Sequence, residues 1–123
     1  MITIKETPVY ITREMCFSAG IEYDETKICY AALLERDICA FCIFTMQGDT
    51  AVIEYAKAPN AEILDGVVRA AIAGGELKGA RFYDFDVSEE LSKELLPLGF
   101  RKAQGTSPHS IEKLFTACSG CSK

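Results

Sequence analysis

The chain has 123 residues, 49% of them apolar and 25% charged, and a formal net charge of −5. That size suits one domain, residues 1–123, whose core needs no disulfide staples. Lys57, Arg69, Lys78, Arg81, Arg101 and Lys102 are scattered rather than striped, no run approaches the ~18 apolar residues of a membrane span, and the acidic, polar start lacks a signal-peptide core, so a cytoplasmic protein without nucleic-acid or membrane partners is expected.

Residues 1–4 alternate as a strand does, and Val9-Tyr10-Ile11-Thr12, after Pro8, is β-rich. One helical turn is expected around Glu14-Met15-Cys16-Phe17, ended by Gly20. Three apolar runs follow at 28–34, 38–46 and 51–58. They are divided by Arg36-Asp37 and by Gln47-Gly48-Asp49, spacings that join antiparallel neighbours. Asn60 then caps a helix with Glu62 at its positive end. Ile63, Val67 and Ala71 run beside Leu64, Val68 and Ile72 as its apolar stripe, and Gly74-Gly75 is expected to stop it. Gly66 sits mid-helix at a cost of ~1 kcal/mol against alanine; it marks either a close approach or an exposed glycine.

Phe82-Tyr83-Asp84-Phe85 reads as a short strand covered on both faces. Ser88 caps the next helix, Glu89 and Glu90 fill its first turn, Leu91, Leu95 and Leu98 mark its inner face, and Pro97 bends or ends it. A strand between two helices implies parallel pairing within an otherwise antiparallel sheet. The fold class is therefore α/β, or α+β by another convention, with a mixed, mostly antiparallel central sheet flanked by helices. Beyond Phe100, residues 101–103 fit a strand, 104–108 a loop, and 111–115 a short helix or the last strand equally. Residues 118–123 read as a mobile tail.

The chain has six cysteines. Cys29, Cys39 and Cys42 fall in predicted strands, where a reduced thiol behaves as a small hydrophobe. Cys39-Ala40-Phe41-Cys42 and Cys118-Ser119-Gly120-Cys121 have the spacing of metal-binding pairs, but residues three apart on a strand point to opposite faces, so no four-cysteine metal site is expected. Cys118 and Cys121, on a turn-prone pair, either converge on a metal, a partner or each other, with Cys16 as a candidate third thiol, or form a plain tail. His109 is read as a surface-loop residue, and Tyr55, Phe82, Tyr83, Phe85 and Phe100 as core.

The order strand, strand, strand, helix, strand, helix, closed by Leu98-Gly99-Phe100, resembles the core of the GNAT acyl-CoA N-acyltransferases over residues 28–103. The resemblance implies acetyl-CoA as acyl donor and a small-molecule or protein amine as acceptor. It also implies that the backbone of Tyr55 and Ala56 lies along the pantetheine arm, with Asn60, Ala61, Glu62, Ile63 and Leu64 around the pyrophosphate. The family's loop there is basic and glycine-rich; here it reads Lys57-Ala58-Pro59-Asn60-Ala61-Glu62-Ile63, with no glycine or arginine. The family's thiolate-protonating tyrosine, four residues before the motif glycine, is Leu95, and the asparagine that often starts that helix is Ser88. Glu54 is the candidate catalytic base, or else a solvent-facing strand glutamate. Too few residues precede Asp24 for the family's strand and two helices, so the N-terminal region is shortened and an acceptor site would be open or completed by a second copy in a homodimer. Two functions remain open at this point. One is direct acetyl transfer to an amine; the other is a catalytically inactive binding or assembly module, with a metal- or redox-linked cysteine tail.

Overall fold

The structure, a computed structural model, describes residues 2–100, 109–112 and 114. Its centre is a meander of three strands, β2 (Lys27–Leu34), β3 (Asp37–Gln47) and β4 (Thr50–Lys57), within a residue of the apolar runs. The turns joining them are two residues long, Glu35-Arg36 and Gly48-Asp49, and each opens with a positive φ, 61° at Glu35 and 63° at Gly48. Such turns match the twist of antiparallel neighbours. A strand β1 (Ile2–Glu6) adds antiparallel to β2, with Ile2 opposite Leu34.

Helix α1 (Val9–Ala19) corrects the reading of its own first half. Val9-Tyr10-Ile11-Thr12 is helical despite its β-rich composition, and the helix has 11 residues rather than one turn. Pro8 stands in the N-cap position, where its φ of −67° presets entry into the helix. The Thr12 hydroxyl donates to Pro8 O at 3.1 Å, which satisfies the side chain that would otherwise favour a strand. Burial of Thr12 and Cys16 on the sheet then decides the matter; Cys16 joins Cys29, Ala31, Phe41 and Ile43 in a core under α1. Gly20, at φ 75°, ends the helix as expected.

The other sheet face is covered by α2 (Ala61–Leu77), which packs Leu64, Val67, Val68, Ala71 and Ile72 against Ala32, Cys42, Phe44 and Ile53. Gly74-Gly75 does not stop it. Both glycines are helical and buried, and the helix runs to Leu77. The reason is proximity to the sheet. A Cβ at Gly74 would collide with the Tyr30 ring, and one at Gly75 would lie 2.9 Å from Ala51 Cβ. Gly66 faces β1, with a virtual Cβ 3.5 Å from Ile4 Cδ1, an ordinary contact.

Strand β5 (Phe82–Phe85) follows, parallel to β4, then α3 (Glu89–Leu95) and a 3₁₀ turn at Leu96–Leu98 closed by Gly99. Ser88 accepts a hydrogen bond from Leu91 N at 3.2 Å, so it caps α3 as read. Strand β6 (His109–Ser110) pairs antiparallel with β5. His109 is thus a half-buried strand residue beside Tyr83, with ring centroids 5.3 Å apart, and not a loop residue. Of the 111–115 stretch, Ile111, Glu112 and Leu114 are helical. Among the described residues the sheet has the order β1-β2-β3-β4-β5-β6, and β4 and β5 are its one parallel pair. This is the mixed, mostly antiparallel α/β class expected. The readings at 101–103, 104–108 and the cysteine tail lie outside the described residues.

Candidate functional site

The parallel ladder is short. It runs from Thr50 opposite Phe82 to Ile53 opposite Phe85, and Asp86 N then donates to Ile53 O at 2.8 Å. Beyond that bond the chain after β5 turns away to Ser88 and α3, while β4 runs on to Lys57. The divergence opens a cleft of about 260 Å³, with Tyr55, Ala56 and Lys57 on one wall and Ser88, Glu90 and Glu94 on the other. Tyr55, Ala56 and Lys57 lie on β4 past its last β5 partner, Ile53. A second cleft of about 330 Å³, between Met15 of α1, Ile38, Cys39 and Phe41 of β3, and Pro59, shares Lys57 and Ala58 with the first.

A β-bulge lies where the strands part. Ile43 faces Tyr55 and Phe44 faces Ile53, so Glu54 is the extra residue with no partner opposite. Its side chain lies under-exposed on the α1 side of the sheet, and its Oε1 accepts from Lys27 Nζ at 2.7 Å and from Thr45 Oγ1 at 3.1 Å. Lys27 Nζ also donates to Thr45 Oγ1 at 3.2 Å. Burial alone would lower the Lys27 pKa; the bond to Glu54 and that carboxylate's charge outweigh it, and the ammonium pKa is raised. Glu54 Oε2 takes no hydrogen bond among the described residues. Nearby, burial raises the Cys16 thiol pKa, while hydrogen bonds from Thr26 lower that of the exposed Asp24.

Tyr55 packs its ring 5.6 Å from Phe41 on the α1 side, and Ala56 is buried at the cleft wall. At the start of α2, the Asn60 side chain accepts from Ile63 N at 2.9 Å and its carbonyl from Leu64 N at 3.0 Å. The N–H groups of Ala61 and Glu62 have no partner among the described residues, leaving two outward donors at the positive end of a 17-residue helix. Leu95 is 2% exposed in the α2-side core and offers no proton. The structure therefore brings Tyr55 and Ala56 to the cleft and sets Glu54 one residue before its wall, whereas Asn60, Ala61, Glu62, Ile63 and Leu64 form the cap and first turn of α2 and do not line it. Lys27 and Thr45 went unread in the sequence. Their nearness to Glu54 depends on the register Lys27–Thr45–Val52 across two hairpins, for which no local motif stands. Among the described residues no three His, Cys, Asp or Glu side chains cluster as metal ligands, and no helix is long and apolar enough to cross a membrane.

No family model and no curated protein matches the sequence. Solved structures do match in shape. The ribosomal-protein-alanine N-acetyltransferase of Brucella melitensis biovar Abortus 2308 superimposes with a TM-score of 0.67 at 9% identity, over 87% of this chain and 96% of that one. A predicted acetyltransferase from Clostridium acetobutylicum, solved with acetyl-CoA, gives 0.61 at 10% identity over 92% and 98%. A GNAT-family acetyltransferase from Streptococcus pneumoniae TIGR4 gives 0.56 at 16% identity over 82% and 88%. The chain has the GNAT fold. The parting of β4 from β5 and the bulge at Glu54 belong to a GNAT-fold sheet whose α1 side carries a single described helix between β1 and β2. Identities this low establish the architecture and leave the chemistry to be argued from the residues.

Proposed function

We propose that the protein binds an acyl-CoA, acetyl-CoA in the first instance, along β4 and transfers its acyl group to an amine. The observation that carries this reading is the parted β4–α3 cleft, lined as far as Ala58, followed along the chain by the start of α2, where the N–H groups of Ala61 and Glu62 have no partner among the described residues. Backbone donors at a helix N-terminus suit a pyrophosphate without glycine or arginine, and Lys57 adds a cation at the cleft wall. Tyr55 and Ala56 offer strand backbone to the pantetheine arm and to the thioester carbonyl. The amine attacks that carbonyl from the α1 side, forming the C–N bond as the C–S bond breaks. Glu54 Oε2 takes the proton the amine loses, while Lys27 and Thr45 hold Oε1 in place. The thiolate leaves and collects its proton from solvent, since Leu95 supplies none. The acceptor is a small-molecule or protein amine. Free, buried Cys16, Cys29 and Cys42 accord with a reducing compartment such as the cytoplasm.

The test is titration calorimetry of acetyl-CoA against the full chain and its Ala61→Pro variant. Proline is favoured at the first helical position, and Asn60 already has the extended backbone that proline demands of its predecessor, so the helix survives with one donor deleted. Micromolar binding that weakens about tenfold in the variant supports the reading; equal binding by both overturns it. A second reading, a GNAT-fold binding module without catalysis, is favoured by Glu90 and Glu94 in the cleft and by Glu62 beside the donors, all of which repel a diphosphate. It expects no heat with acetyl-CoA.

A further inference from the structure

Helix α1 packs Cys16, Met15 and Ala19 inward and yet presents aromatic side chains to solvent. Its sheet-facing side buries Thr12 and Cys16, whereas its outward ridge carries Tyr10, 67% exposed, and Phe17, 88% exposed. These two aromatics lie two turns apart on one line, and Arg13 and Glu14, both exposed, stand between them. Val9, 58% exposed, extends the apolar surface toward the helix start. Arg13 is steadied over the Tyr23 ring, its guanidinium carbon 5.2 Å from the centroid. Single exposed apolar residues are common; two aligned aromatics at the centre of a solvent face bracketing one charge of each sign are a pattern.

We propose that this ridge is a self-association surface on which two copies of the chain pair α1 to α1, antiparallel, about a two-fold axis between Arg13 and Glu14. The stripe is its own complement in that arrangement and in no parallel one. Tyr10 meets the partner's Phe17, Phe17 meets the partner's Tyr10, and Arg13 and Glu14 each meet the partner's opposite charge. A parallel pairing would instead set Arg13 on the partner's Arg13. An 11-residue helix spans only about 16 Å, so the contact lies at the small end of specific interfaces and the association is concentration-dependent. The proposal does not depend on acyl transfer.

Sedimentation equilibrium of the full chain, across roughly 10⁻⁶ to 10⁻³ M, tests it. A monomer–dimer equilibrium is expected, weakened about tenfold by Phe17→Glu and similarly by Arg13→Glu or Glu14→Arg alone. An equimolar mixture of Arg13→Glu and Glu14→Arg chains recovers the association, because one then presents two acids where the other presents two bases. The substituted positions are exposed, and circular dichroism melts of each variant verify that it folds. A single monomeric mass at every concentration, leaving the ridge to another protein or to a lipid surface, overturns the proposal. So does a dimer indifferent to Phe17→Glu, or a mixture that associates no better than either variant alone.

Discussion

Lys27 on β2 and Glu54 on β4 meet across the intervening strand β3, Nζ to Oε1 at 2.7 Å, with Thr45 of β3 bonded to both. Side-chain exposures of 11% and 18% keep the pair largely out of water without sealing it in. Replacing Lys27 by methionine strands the carboxylate and costs about 1–3 kcal/mol in urea unfolding. Glu54→Gln keeps the shape and one acceptor oxygen; it leaves the fold standing and, on the proposed mechanism, removes the base, so kcat for acetyl transfer falls about 10²-fold or more. A variant with full turnover would show that Glu54 is structural alone.

The raised Lys27 pKa fixes the pH behaviour of that pair. The folded state holds the proton more tightly than the unfolded one, so the stabilisation is complete below the unfolded lysine value of about 10.4 and is lost as pH rises through the folded value. Urea midpoints measured above pH 10 should fall more steeply in the wild type than in Lys27→Met.

The glycines of α2 separate by what they face. Gly74→Ala drives a methyl into the Tyr30 ring and should destabilise by about 1–3 kcal/mol. Tyr30→Leu in the same chain should recover part of that loss. Gly66→Ala meets Ile4 Cδ1 at ordinary contact distance and should be neutral or stabilising by up to about 1 kcal/mol. Thermal melts of the three variants give the comparison.

The thiols should divide by burial under alkylation. Cys42 is fully buried with its pKa raised well above that of a free thiol, and burial pushes Cys29 up to about 11. Peptide mass spectrometry after brief iodoacetamide treatment at pH 8 should find Cys39, half-buried, modified well before either. Because the native state keeps Cys29 protonated where the unfolded chain would lose its proton, stability also declines as pH climbs from about 8.5 toward the folded value.

The sequence was readable where one local signal sufficed. Apolar runs broken by turns located β2, β3 and β4, and the caps Asn60 and Ser88 located two helix starts. It misled where tertiary contact overrode local preference. Val9-Tyr10-Ile11-Thr12 has strand composition, yet Pro8 and the burial of Thr12 and Cys16 make it helix. Gly74-Gly75 looks like a terminator, yet Tyr30 and Ala51 need the space above it. Glu54 could be singled out by residue type and strand. Its bulge, its lysine and its threonine follow only from the registers of two hairpins, which no window along the chain contains.

The four-rung parallel ladder has one more consequence. Strands β1 to β4 form by successive neighbour pairings along residues 2–57, whereas β5 reaches β4 only after a 17-residue helix has closed the crossover. Loop closure of that kind is entropically late, so the meander is the expected folding nucleus and the β5–β6 flap its last addition. Native-state hydrogen exchange would then release the amides of β5 and β6 ahead of those of β3. The same weak seam that opens the cleft would thus be where the molecule first comes apart.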